Sequence, residues 1–207
     1  MPKLGMEPIR RRQLIEATYE VLRREGFANT TLAKIAAEAG LATSIITHYF
    51  STKSALIEAT MRDQVASLVR EASVRRAAAT SKVEEVIAVV DANFAPSQCS
   101  PRAVAAWLYF WGQVPYNPSF ARIQKICDRR LLIYLQRSLR TLVPEGEVYD
   151  VAYTILALSY GFWMQLAHFP NEFDVDRART MALEVIETRV QSAWAKERRF
   201  PPAKHAG

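Results

Sequence analysis

Residues 31–56, Thr-Leu-Ala-Lys-Ile-Ala-Ala-Glu-Ala-Gly-Leu-Ala-Thr-Ser-Ile-Ile-Thr-His-Tyr-Phe-Ser-Thr-Lys-Ser-Ala-Leu, constrain this chain more than any other stretch. They read as two short helices joined by a tight turn. Thr31 has the hydroxyl of an N-cap, which accepts from amides that the first helical turn leaves unpaired. Leu32, Ile35, Ala36 and Ala39 recur at helical spacing and give the first helix one buried face. Gly40 stands where that helix must stop and the chain must reverse, a place that favours a residue without Cβ. Leu41 plugs the angle between the helices, and the second helix runs from Thr43 to Tyr49. This is the plan of a DNA-reading helix-turn-helix, whose second helix enters the major groove.

Breakers divide the rest of the chain into further helices. Helix one is expected over Pro8–Glu25, with Leu14, Ile15, Thr18, Val21 and Leu22 inward and Gly26 at its end. A long helix is expected over Lys53–Arg76, with Leu56, Ile57, Met61, Val65, Leu68 and Val69 at helical spacing. Val83–Phe94 follows, then a loop over Ala95–Pro101 with its two prolines. Arg102–Val114, Ser119–Leu142, Glu147–Phe169 and Val175–Ala195 complete the series, the last two divided by Pro170-Asn171-Glu172. No run shows strand alternation or β-branched clustering. The expected fold is all-α: an N-terminal three-helix helix-turn-helix domain (1–54), a larger ligand-binding and dimerisation domain (55–197) and a flexible tail (198–207). A chain of 207 residues has room for both domains.

Charge and composition narrow the function. The net charge is +6. Lys3, Arg10, Arg11 and Arg12 precede or open the first helix, and Lys34 and Lys53 flank the motif, which suits a polyanionic partner. His48, His168 and His205 are scattered with no HExxH spacing, and no GxSxG occurs, so an enzyme is not expected. Cys99 and Cys127 lack CxxC spacing, so neither a metal, a cofactor nor a disulfide is expected. Met1–Glu7 carries charges and no apolar core, so a secretory signal is not expected and the cytoplasm is the expected compartment. Val151–Pro170 contains no Asp, Glu, Lys or Arg and is long enough to cross a bilayer. Tyr153, Thr154, Ser159, Tyr160, Gln165 and His168 dilute its hydrophobicity, so it reads as a buried or dimer-interface helix rather than a membrane span.

The 31–56 stretch resembles the TetR family of transcriptional repressors at Thr31, Ile35, Ala36, Ala39, Gly40, His48, Tyr49, Phe50, Lys53 and Leu56. It departs from the family pattern at Ala42, Ser44 and Thr47. The resemblance implies a homodimer on double-stranded operator DNA, reading half-sites about 34 Å apart, with the last two long helices making the dimer. It implies that Thr43, Ser44, Ile45 and Thr47 face base edges. His48, Tyr49, Lys53 and the Thr31 helix start would then fix the backbone, with Lys34, Arg10 and Arg11 as further phosphate contacts.

An aromatic concentration points to an effector. Trp107 and Trp111 lie four apart on one helical face, with Tyr109 and Phe110 beside them. Tyr160 and Trp163 sit on the apolar helix, and Tyr116 and Phe120 flank the intervening turn. Such residues either fill a core or form a cage for a cation without hydrogen-bond donors, with Asp91 or Asp128 as candidate counter-charges. Ile9-Arg10-Arg11-Arg12-Gln13-Leu14-Ile15, Ile45-Ile46-Thr47-His48-Tyr49-Phe50, Glu58–Asp63, Ala106-Trp107-Leu108, Phe110-Trp111 and Arg129-Arg130-Leu131-Leu132 resemble the BetI subfamily of choline-responsive repressors. That resemblance implies choline as the small-molecule effector and genes for betaine synthesis as targets. Another cationic or aromatic effector, and a non-selective architectural DNA-binding protein, are the alternatives.

Overall fold

The computed structural model describes residues 6–199, with side chains as far as Gln191. The described residues form ten α-helices and one 3-10 turn, with no strand. They are α1 (Met6–Glu25), α2 (Leu32–Glu38), α3 (Thr43–Tyr49), α4 (Lys53–Ala78) and α5 (Lys82–Asn93). After them come α6 (Pro96–Cys99), α7 (Pro101–Gln113), α8 (Pro118–Leu139), α9 (Val148–His168) and α10 (Val175–Arg199). The all-α expectation holds. The stretch expected as a loop, Ala95–Pro101, contains the helical turn α6. Pro96 opens that turn with its φ already fixed, and Gln98 within it is buried. Lys3, His205 and residues 200–207 of the expected 198–207 tail lie outside the described residues, and its first two residues, Arg198 and Arg199, end α10.

The described residues divide into two compact units, one of residues 6–67 with Ser97–Ile126, the other of Leu68–Pro96 with residues 127–199. In the first, α1, α2, α3 and the start of α4 enclose a core of Leu14, Ala17, Val21, Ile35, Ala36, Ala39, Ile46, Phe50 and Leu56. Helix α7 packs along α1 within this same unit. Thr31 caps α2 as expected, its hydroxyl accepting from Lys34 N at 3.2 Å. Gly40 adopts φ +63°, and Leu41 N donates to Ala36 O at 2.9 Å while Gly40 N donates to Ala37 O at 3.1 Å. That pair of bonds is the Schellman end of a helix, and the left-handed φ is why glycine belongs there. Leu41 then packs on the core, closing the angle between α2 and α3.

In the second unit, α5, α9 and α10 pack on one another. Val86, Val89 and Val90 of α5, Val151, Ala152, Ile155 and Leu156 of α9, and Ala178, Ala182 and Ile186 of α10 are buried. Arg179 of α10 grips Asp91 of α5 with two hydrogen bonds, at 2.6 and 2.9 Å. No helix among the described residues is long and apolar enough to cross a membrane.

Candidate nucleic-acid interface and aromatic cluster

Helix α3 is fixed from below and open above. Ile46 is fully buried in the core and Phe50 nearly so, while Thr43, Ser44, Thr47 and His48 are exposed and Ile45 and Tyr49 half-buried. The exposed set is three hydroxyls and an imidazole, groups that both donate and accept, which is the chemistry that reads base edges and phosphates. Thr47 spends its hydroxyl hydrogen on Ser44 O at 2.9 Å, leaving lone pairs outward. His48 stands edge-on to Tyr49, ring centroids 4.9 Å apart.

Two side chains of α1 hold the motif in place. Gln13 donates to Ala39 O at 2.6 Å and Arg11 donates to Tyr49 O at 2.7 Å, so each grips the carbonyl end of one motif helix. These ends carry unsatisfied carbonyls and partial negative charge, and donors there stabilise the helix. The Arg11 guanidinium also lies over the Phe50 ring, 4.2 Å from its centroid. Gln13 had no sequence signal, because its partner lies 26 residues away.

The other expected phosphate contacts differ in how their charges are held. Lys34 pairs with Glu25 at 2.8 Å. Hydrogen bonds from Lys34 and Arg24 hold the Glu25 carboxyl below its usual range. Arg12 is committed to Asp63 at 2.7 Å and to Glu16. Arg10 donates to the neutral Gln13 at 2.8 Å. Lys53 stands over the ring of Phe27, 4.6 Å from its centroid. Among the described residues no carboxylate pairs with Arg10, Arg11 or Lys53. Those three keep their full charge for a partner.

On α7, Trp107, Phe110 and Trp111 come together as expected. The Trp107 and Trp111 rings are 5.4 Å apart and tilted 32°, and Trp107 and Phe110 are 5.8 Å apart. Trp107 and Phe110 are buried and Trp111 half-buried. Each indole N–H finds an amide oxygen: Trp107 donates to Gln98 Oε1 at 3.3 Å and Trp111 to Gln124 Oε1 at 3.2 Å. Gln98 is itself buried and accepts from Gln64 Nε2 at 2.9 Å. Tyr109 turns elsewhere, stacking on Phe27 at 3.8 Å and 18° and meeting Phe120 edge-on at 6.2 Å. Burial pushes its phenol up to about 12. Tyr116 is largely exposed.

In the second unit, Tyr160 donates to the carboxylate of Asp128, and Trp163 is buried. Asp91, the other candidate counter-charge, is taken by Arg179. A groove of about 450 Å³ runs between α5 and α10, lined by Val83, Val86, Ile87, Leu183, Ile186 and Val190 among others. None of the expected aromatic residues lines it. Burial raises the Cys99 and Cys127 thiols to about 11 and about 12, which keeps both protonated and unreactive.

Comparison with known proteins gives matches over both halves of the chain. Residues 14–60 match the family described as bacterial regulatory proteins, tetR family, and residues 82–191 match the BetI-type transcriptional repressor, C-terminal. The chain is 39% identical over 191 residues to the HTH-type transcriptional regulator BetI 1 of Chromohalobacter salexigens, covering 92% of this chain and 95% of that protein. It is 40% identical over 189 residues to BetI of Escherichia coli, covering 90% and 96%. A transcriptional regulator from Pseudomonas aeruginosa PAO1 superposes with a TM-score of 0.78 at 26% identity, over 95% of each chain. One from Saccharomonospora viridis, solved in complex with choline, superposes with a TM-score of 0.76 at 19% identity, over 87% of this chain and 96% of that one. The latter likeness is one of fold.

Proposed function

We infer the working of this chain from one premise: it belongs to the TetR family of transcriptional regulators and carries a BetI-type C-terminal region. It is a regulator and not an enzyme. We propose that it represses transcription by binding its operator as a cytoplasmic homodimer, and that choline releases it. The observation that carries the DNA side is α3, anchored by buried Ile46 and presenting Thr43, Ser44, Thr47 and His48 to solvent. In this reading Thr43, Ser44, Ile45 and Thr47 meet base edges. His48, Tyr49, Arg10, Arg11, Lys34, Lys53 and the capped start of α2 at Thr31 meet the backbone. Residues 1–54 do the reading, and residues 55–197 receive the effector and pair the protomers.

The dimer reading is supported by α9. Tyr149 and Tyr153 are exposed, stacked at 6.0 Å and 18°, and continue along the helix into exposed Ala157 and Gly161. Val185 of α10 is also exposed. Exposed apolar side chains collected on two neighbouring helices mark an interaction face.

The effector reading is supported by the BetI names of the relatives, by the choline complex of the Saccharomonospora regulator, and by the Trp107–Trp111 pair. The quaternary nitrogen of choline has no hydrogen-bond donor, so π faces recognise it better than carbonyls do, and tryptophan does so best. Phe110 belongs to the same cluster. Tyr160, Asp128 and Trp163 offer aromatic faces and a carboxylate in the second unit. Release requires that choline bind the DNA-incompetent conformation more tightly; equal affinity for both changes nothing.

The test is choline titration of operator-bound protein in Trp107→Ala and Trp111→Ala. Each removes a cation–π contact worth about 1–2 kcal/mol, so half-release moves to roughly tenfold more choline. Trp107 is buried, so its truncation costs about 3–5 kcal/mol of stability and folding is checked by circular dichroism. In the folded variants operator affinity without choline is expected to hold, because neither residue lies on the reading head. Release at wild-type choline concentrations in both variants rules out the tryptophan site. Release by another quaternary ammonium but not by choline transfers the reading to that ligand.

A further inference from the structure

We propose that Phe27 is a positioning residue for Lys53, and that the Tyr109–Phe27 stack ties that lysine to the helix bearing Trp107 and Trp111. The proposal rests on the phosphate role given to Lys53 above. Three contacts within one compact unit carry it. The Lys53 ammonium stands over the Phe27 ring at 4.6 Å, and Tyr109 of α7 stacks on that ring at 3.8 Å and 18°. Phe120 also meets Tyr109, edge-on at 6.2 Å.

An aromatic face does something a carboxylate does not. It orients an ammonium while leaving the charge uncancelled. Lys34 and Arg12, in the same unit, are held by Glu25 and by Asp63 and Glu16, and their charges are largely compensated. Lys53 opens α4, directly after the motif, and keeps both its place and its charge. Phe27 lies on the turn after α1 and is 36% exposed, so its ring is open to the ammonium that stands over it.

The same stack gives α7 a lever. Positions 107 and 111 share one helical face, whereas 109 is two residues from each and so points roughly 160–200° away. Trp107 and Trp111 thus occupy one side of α7 while Tyr109 reaches Phe27 on the other. A shift of α7 caused by a ligand at the tryptophans displaces Tyr109, then Phe27, then the ammonium. The effector site reaches a phosphate contact without leaving this unit.

The experiment measures operator affinity of the full chain against KCl concentration, for wild type, Lys53→Gln, Phe27→Leu, Tyr109→Leu and the Phe27→Leu/Lys53→Gln double variant. Each phosphate contact contributes about 0.9 to the slope of log K against log[salt], so Lys53→Gln shallows it by about 1.8 per dimer. Phe27→Leu keeps the bulk but removes the π face, and is expected to shallow the slope in the same direction. Phe27→Tyr restores it. In the Lys53→Gln background Phe27→Leu changes nothing further. Tyr109→Leu shallows the slope from the other end of the stack and narrows the choline-induced drop in affinity, with choline binding by tryptophan fluorescence unchanged. A wild-type slope in Phe27→Leu beside a shallow one in Lys53→Gln overturns the positioning role alone. A wild-type slope in Lys53→Gln overturns the phosphate contact beneath it. Should Phe27→Leu fail to fold, Tyr109→Leu decides in the same way.

Discussion

A chain carrying Tyr149→Asp and Tyr153→Asp runs as a monomer and binds its operator at least about 100-fold more weakly than wild type. Both side chains are more than half exposed, at 57% and 55%, and their rings stack on each other rather than on the core. The opposite side of α9 is the buried one, with Val151 and Ile155. Replacement of the tyrosines therefore leaves the protomer's own packing intact and costs it about 0.5 kcal/mol or less. At a two-fold interface the same patch meets itself, so two new aspartates per protomer become four like charges desolvated together. A monomer then holds one half-site, and the gain from binding both heads to one DNA is lost. Sedimentation and operator titration check this, with circular dichroism to show that helicity is kept. A dimer of undiminished operator affinity would place the interface elsewhere.

The second large effect is expected at Thr47→Glu. Thr47 is exposed on α3, and its one hydrogen bond is to Ser44 O in its own helix. Glutamate is a better helix former than threonine, so the fold and the melting temperature are expected to hold. In the major groove the new carboxylate faces phosphates and base acceptors. Like charges brought together at an interface cost several kcal/mol, which lowers affinity by roughly 100-fold or more. Thr47→Ala separates charge from contact, losing one hydroxyl and no more than about tenfold. Anisotropy with labelled operator measures both. Operator affinity within threefold of wild type in Thr47→Glu would remove α3 from the groove.

How much of this was legible in the sequence depended on how local each cause is. The motif was legible because its determinants are neighbours. Thr31 caps an amide three residues on, Gly40 supplies its own φ, and Leu32, Ile35, Ala36 and Ala39 repeat at helical spacing. The grips of Gln13 on Ala39 and Arg11 on Tyr49 were not legible, since each joins residues 26 or 38 positions apart. The turn α6 was hidden by Pro96, which announces a loop and a helix start with the same letter. Tryptophans 107 and 111 were legible as a pair from their spacing. What their indole N–H groups bond to was not, because Gln98 and Gln124 carry no pattern. The direction of Tyr109 follows from helical periodicity, but its partner Phe27 lies in a turn far upstream. The pairing of Asp91 with Arg179, 88 residues away, needed the fold.

The proposed function stands or falls on operator binding that choline reverses. The direct measurement is fluorescence anisotropy of labelled DNA from upstream of the gene, titrated with the full chain at moderate salt and then with choline. Tight, sequence-selective binding is expected, which unlabelled operator competes and unrelated DNA does not, followed by a fall in anisotropy as choline is added. Selective binding that choline leaves untouched would contradict the effector assignment. Binding that unrelated DNA competes equally would contradict the repressor mechanism itself.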